Sequence, residues 1–251
     1  MIFENRFIYY PTRDFWAEPD EFGLDFENVW FEASDGVKLH GWFIPKEKAT
    51  TALLFFHGNA GNISDRLDNI IKLHHQVGAE IFIFDYRGYG RSKGKPDEAG
   101  LCQDGAAALN WLNERCRPQK IKTILFGRSL GGAVAIDAAS KIECDALIVE
   151  STFTSIPSVA AALIPIAPSS LIKTKFDSLN KIEAVSVPKL FIHGDADSLI
   201  PVSHCRRLFE KASEPKRIYI VHGADHNDAY IEGGERYFKE FKDFIAGIER
   251  S

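Results

Sequence analysis

A single α/β domain, with one mostly parallel sheet of about eight strands and helices on both faces, is the fold the sequence predicts. Three observations carry this expectation. A short, near-continuous apolar run at Thr51–Phe56 has the character of a strand buried on both faces, and Glu80–Tyr86 reads as a second buried strand. Helix-spaced apolar positions alternate with them, which implies parallel strands joined by crossover helices. The 251 residues suffice for one large core, and no repeat, low-complexity tract or Gly/Ser linker divides them. Residues 1–251 are therefore read as one domain.

The elements follow in order. Residues 29–33 and 38–44 flank Ser34-Asp35-Gly36-Val37, which reads as a hairpin turn, so the sheet opens with an antiparallel pair. Thr51–Phe56 is the first doubly buried strand, followed by Leu67, Ile70, Ile71 and His74 at helical spacing. A strand over 80–86 runs into the Gly-rich loop 87–94, and Leu101, Gly105, Ala108, Leu109 and Leu112 mark the next helix. Strands over 121–126, 146–150, 189–193 and 217–221 complete the sheet, and Phe238, Phe241 and Ile245 share one face of a last helix.

Residues 153–182 do more than cross the sheet once, and their apolar part, 155–168, has two readings. One is a crossover helix packing Val159, Leu163 and Ile164 on the sheet. The other is a small cap whose apolar face, with Leu163 and Ile166, lines a ligand pocket.

Composition narrows the function classes. A formal charge of −5 and a pI near 5.9 leave no electrostatic footprint for nucleic acid or an anionic membrane. No run of eighteen apolar residues exists, so no membrane span is expected. Glu4 interrupts the N-terminal apolar stretch, which makes a poor secretory signal, and a cytoplasmic location is expected. Cys102, Cys116, Cys144 and Cys205 have no CxxC spacing and are expected as free thiols. None of them sits on a Gly-flanked turn, as a cysteine nucleophile would.

The chemistry concentrates at the carboxyl ends of the strands, where such sheets place their sites. Gly127-Arg128-Ser129-Leu130-Gly131 joins an apolar strand to an Ala-rich helix, the context of a nucleophile elbow. The glycines admit a turn too sharp for a Cβ, and the strain lifts the Ser129 hydroxyl above the sheet edge. A serine nucleophile needs a histidine base, and the base needs an acid to fix its tautomer. His226, on the loop after the last strand, is the favoured base, whereas His222 belongs to the strand end and is expected to pack or hydrogen-bond locally. The His222/His226 spacing suits no metal site, because Gly223 argues against a helix there and neither HExxH nor a cysteine partner exists.

Asp197 is the favoured acid, being deeper in the loop after the 189–193 strand. Asp195, Glu150 and a merely helix-capping aspartate are the alternatives. Oxyanion donors are expected from the backbone N–H groups of Leu130 and of Asn59, with Gly58 allowing close approach. His57 is expected to organise its loop, and the Asp85, Tyr86, Arg87 and Arg91 group to form a structural network.

Taken together, 56–62 (Phe-His-Gly-Asn-Ala-Gly-Asn), 85–90 (Asp-Tyr-Arg-Gly-Tyr-Gly), the Ser129 elbow, 193–197 (His-Gly-Asp-Ala-Asp) and Asp225-His226-Asn227 resemble the α/β-hydrolase superfamily. The likeness is to small hydrolases related to protein depalmitoylases and bud-emergence-type proteins, and it spans about residues 25–248. It implies an α/β-hydrolase fold and a serine carboxylesterase or thioesterase with Ser129, Asp197 and His226 as triad. The substrate would be a small or acylated ester or thioester, with no cofactor and no metal. The membrane or lipidation segment and the N-terminal cysteine cluster of many such proteins do not appear in this sequence. A serine aminopeptidase or oligopeptidase, or a non-catalytic binding protein of the same fold, are the alternatives the scaffold permits.

Overall fold

The computed structural model describes residues 5, 8–163 and 172–249. Its strands, in chain order, are β1 (Tyr10–Pro11), β2 (Glu27–Glu32), β3 (Lys38–Ile44), β4 (Thr51–Phe56), β5 (Ala60–Gly61), β6 (Glu80–Asp85), β7 (Lys122–Arg128), β8 (Ala146–Glu150), β9 (Lys189–Gly194) and β10 (Lys216–Val221). Eight of them form one sheet in the order β10-β9-β8-β7-β4-β6-β3-β2. The β2–β3 hairpin is antiparallel as expected, and β3 also runs antiparallel to β6. All other neighbours in that sheet are parallel.

Helices α1 (Leu67–Val77), α2 (Glu98–Cys116), α3 (Leu130–Ala139), α4 (Ile156–Leu163), α5 (Ser178–Lys181), α6 (Ser203–Lys211), α7 (Ala229–Glu232) and α8 (Gly234–Glu249) cover the sheet. The core falls into two clusters, one on each face. Leu54, Phe56 and Leu125 meet α2 and α3 through Leu109, Leu112 and Val134. Phe55, Phe126 and Ile148 meet α1 and α8 through Ile70, Leu73, Phe238 and Phe241. Strands sandwiched in this way are apolar on both faces, which is why β4 is hydrophobic from Ala52 to Phe56 and β8 from Ala146 to Val149. The four cysteines are free, and all but Cys102 are buried.

Ile156 and Val159 of α4 pack on the first of these clusters. Ile164 and Ile166 lie outside the described residues.

Two short strands stand apart from the main sheet. Tyr10–Pro11 pairs in parallel with Ala60–Gly61, so the N-terminal segment straps the loop that follows β4. Asn62 tightens the strap, donating from Nδ2 to Thr12 Oγ1 and to the Asp14 carbonyl, both at 2.9 Å.

Candidate active site

The turn from β7 into α3 holds Ser129 at φ 53°, ψ −119°. A non-glycine residue there stores of order 1–3 kcal/mol of strain and persists only where its surroundings over-determine it. Here they do. The Ser129 N–H donates to the Glu150 carbonyl at 2.8 Å, and the Ser129 carbonyl accepts from Thr152 Oγ1 at 2.8 Å and from the Gly132 N–H at 3.0 Å. A Cβ on Gly131 would stand 2.0 Å from the Phe56 carbonyl oxygen, and one on Gly127 would stand 2.6 Å from the Gly131 carbonyl oxygen. Both positions therefore require glycine.

His226 arrives on the loop between β10 and α7. Its Nε2 lies 3.0 Å from Ser129 Oγ, and its Nδ1 lies 2.8 Å from Asp197 Oδ2. Donation from Nδ1–H to the carboxylate leaves Nε2 as the acceptor facing the serine hydroxyl. Asp197 stands just beyond β9, where its other oxygen accepts the N–H groups of Leu199 and Ile200 at 3.0 and 2.7 Å. Burial alone would raise this carboxyl. Hydrogen bonds from His193 and His226, the His226 charge and the Ile200 N–H outweigh burial and hold it well below the usual carboxylate range. Asp197 is thus kept ionised.

The other candidates are turned elsewhere. Asp195 accepts from His222 Nδ1 at 2.8 Å and from the Gly223 N–H at 2.7 Å, out at the surface. Glu150 is buried, with Arg128 Nε 3.1 Å from one oxygen and Tyr237 OH donating to the other. Asp225 accepts from Ser198 and from the His226 N–H, not from the imidazole ring. His57 is fully buried against Tyr86 and Tyr89, and burial pushes its pKa down to about 3. Its carbonyl accepts from Tyr86 OH at 3.1 Å, so this residue shapes the loop after β4. Arg87 is locked between Asp35 and Asp104, and Arg91 reaches Asn28 and Glu18.

A cleft of about 560 Å³ opens over Ser129 and His226, with Gly58, Asn59, Arg66 and Tyr230 among its walls. A Cβ on Gly58 would come 3.7 Å from the Ser129 Cβ, so backbone of the loop lies directly against the serine. Tyr89 OH donates to Asn59 Oδ1 at 3.2 Å and steadies the next residue. Leu130 opens α3, and its N–H is among the donors that a helix ladder leaves unpaired. Among the described residues, none of 153–162 or 172–182 lines this cleft.

Three features of the site lay outside the sequence reading. His193 Nε2, at the end of β9, sits 3.2 Å from Asp197 Oδ2 and 2.8 Å from the Ile200 carbonyl, bracing the acid from behind. Arg128 ties the elbow to the histidine loop through the His226 carbonyl at 3.5 Å and Asn227 Oδ1 at 3.4 Å. Arg66, just ahead of α1, enters the cleft wall.

A parallel sheet carrying an over-determined serine turn, with a histidine and an aspartate converging on it, defines the α/β-hydrolase class. The comparisons with known proteins agree. A sequence model of the family described as "Serine aminopeptidase, S33" matches residues 47–178. The Escherichia coli K12 protein YfhR is 36% identical over 250 residues, covering 96% of this chain and 86% of its own. The Arabidopsis thaliana α/β-hydrolase domain-containing protein WAV2 is 32% identical, covering 98% and 88%. A Saccharomyces cerevisiae protein described as a membrane protein, YNL320W, is 34% identical, covering 97% and 89%. Among solved structures, the Pyrococcus furiosus esterase Pf2001 superposes with a TM-score of 0.79 at 21% identity, covering 96% of this chain and 98% of its own. The chain belongs to the serine aminopeptidase S33 family of the α/β-hydrolase superfamily. No helix among the described residues is long and apolar enough to cross a membrane.

Proposed function

We propose that this hydrolase cleaves carboxylic esters or thioesters through an acyl-enzyme on Ser129. The observation that carries the reading is the hydrogen-bonded line from Ser129 Oγ through His226 to Asp197, at 3.0 and 2.8 Å. Ser129 Oγ attacks the acyl carbon while His226 Nε2 takes the hydroxyl proton. Asp197 holds the ring and stabilises the imidazolium that forms. The tetrahedral oxyanion is met by the N–H groups of Asn59 and Leu130, preorganised by the Tyr89 contact and by the start of α3. The protonated His226 returns its proton to the departing alcohol or thiol. It then activates the water that frees the acid and regenerates the serine. No metal or cofactor enters these steps.

Residues 153–182 are proposed as a small cap or crossover insertion within this one domain. The free thiols suit a reducing compartment, and a cytoplasmic location is part of the same proposal.

The family description supplies a second reading, a peptidase releasing N-terminal residues. Such an enzyme needs carboxylates to hold a substrate ammonium. Among the described residues this cleft offers Asp65 alone against Arg66 and Arg128, which favours the ester reading. Turnover of matched acyl esters, acyl thioesters and aminoacyl amides decides between them. Ester or thioester hydrolysis well above amide hydrolysis is expected, and amide cleavage that dominates would overturn it.

A further inference from the structure

Among the described residues, two arginines line the cleft at Ser129, and one of them, Arg128, is engaged in an ion pair. Arg128 is buried, ion-paired with Glu150 at 3.1 Å, and occupied by the His226 loop. Arg66 has no ion pair among the described residues. It donates from Nη2 to the Ala60 carbonyl, and its Nε is buried with no acceptor there.

The nearby acids do not complete Arg66. Asp65 lies beyond ion-pair distance, with Oδ2 accepting the Asn62 N–H at 2.8 Å. Asp85 is fully buried, makes no ion pair with Arg66, and has its carboxyl pushed up to about 8 by burial, which disfavours its charge. Burial and then the charge of Arg128 both disfavour the Arg66 cation, yet a guanidinium stays charged in proteins. A half-desolvated cation beside a second cation is a place for an anion. The planar fork of arginine suits the paired oxygens of a carboxylate or phosphate.

Position says which anion. Ala60, the carbonyl that Arg66 holds, belongs to the same short loop as Gly58 and Asn59. Arg66 and Ser129 therefore face one cavity of about 560 Å³, roomy enough for a substrate reaching both.

We infer that the preferred substrate is an ester or thioester bearing a carboxylate or phosphate, which Arg66 binds while its carbonyl sits at Ser129. This rests on the reading of Ser129 as nucleophile. The anionic group belongs either to the acyl part or to the alcohol or thiol part, and Arg128 adds background positive potential without direct contact.

Two pairs of esters test it, each corrected for spontaneous hydrolysis. p-Nitrophenyl hexanoate against mono-p-nitrophenyl adipate places the charge in the acyl part. Methyl 4-(butyryloxy)benzoate against 4-(butyryloxy)benzoate places it in the leaving group. In at least one pair the wild type should favour the charged member in kcat/KM by about tenfold or more, the scale of one charge-assisted contact. The pair that shows it tells which side carries the anion. Added salt should shrink the ratio. Arg66→Gln should bring it near one, and Arg66→Lys should restore part of it. A wild-type ratio at or below one in both pairs overturns the inference, as does a ratio that Arg66→Gln leaves intact. Should Arg66→Gln fail to fold, the wild-type ratio and its salt dependence decide. Ser129→Ala on the neutral esters separates the two failures. If it abolishes their turnover while no charge preference exists, only the anion subsite is wrong; if turnover survives, the nucleophile reading is wrong as well.

Discussion

Arg128, the residue before Ser129, places its guanidinium Nε 3.1 Å from Glu150 Oε1 at the end of the neighbouring strand. The pair is buried, and each member has a second attachment. Glu150 receives the Tyr237 hydroxyl from α8, and Arg128 reaches the carbonyl of His226. One ion pair thus joins β7, β8, the last helix and the loop carrying the histidine, so Glu150 holds the frame of the site and does not orient the imidazole.

Glu150→Gln should therefore act first on stability. It leaves a buried guanidinium without its counter-charge, a loss of about 3 kcal/mol or more. Urea unfolding measures it. Turnover should fall less than in Asp197→Asn; a larger kinetic defect in Glu150→Gln would move the role of acid to Glu150.

The two aspartates after β9 should separate cleanly. Asp197→Asn presents an amide to His226 Nδ1, favours the wrong tautomer, and should lower kcat by about 10⁴-fold. Asp195→Asn disturbs only contacts with exposed His222 and with Gly223, and should leave kcat within about threefold of wild type, as surface changes usually do. Steady-state kinetics on one activated ester decides, and equal defects would contradict the assignment.

Asp85 gives stability an unusual pH dependence. Its folded carboxyl is pushed up to about 8 by burial, against about 4 in an unfolded chain. Its neighbour His57, at 3.9 Å, is neutral, so no charged pair forms. Between those two values the folded chain keeps a proton that the unfolded chain has lost. This contribution is therefore fully present below about pH 4, declines as pH rises, and is gone above about 8. Asp85→Asn keeps an acceptor for the Ile63 N–H, which Asp85 Oδ1 meets at 3.0 Å. The variant should lose much of the decline in unfolding free energy between pH 5 and 8. An unchanged slope would contradict the protonated state.

Much of this architecture was legible because it repeats a local rule. Thr51–Phe56 and Ala146–Glu150 are buried throughout and apolar from Ala52 to Phe56 and from Ala146 to Val149 because helices cover both faces, and Gly127 and Gly131 announce a turn with no room for a Cβ. Depth in the loop singles out Asp197, the aspartate that lies 2.8 Å from His226, over Asp195, which meets His222. What stayed hidden depends on partners far away in the chain. Tyr10–Pro11 makes two residues of strand against Ala60–Gly61, too short to show a period. Arg66 reads as one more polar residue ahead of a helix until the fold sets it in the wall of the cleft that Ser129 also lines. His193 reads as the end of a buried strand, and only the return of the loop through Ile200 places its ring against Asp197.

The most direct test of the account is covalent capture of the nucleophile. Folded wild type is incubated with a small fluorophosphonate, and the adduct is located by peptide mass spectrometry. A single phosphonyl group on Ser129 is predicted, with none on Ser129→Ala of matching circular dichroism. Labelling that persists in the folded Ser129→Ala variant, or a wild type that hydrolyses esters but takes no label at Ser129, would contradict the acyl-enzyme mechanism.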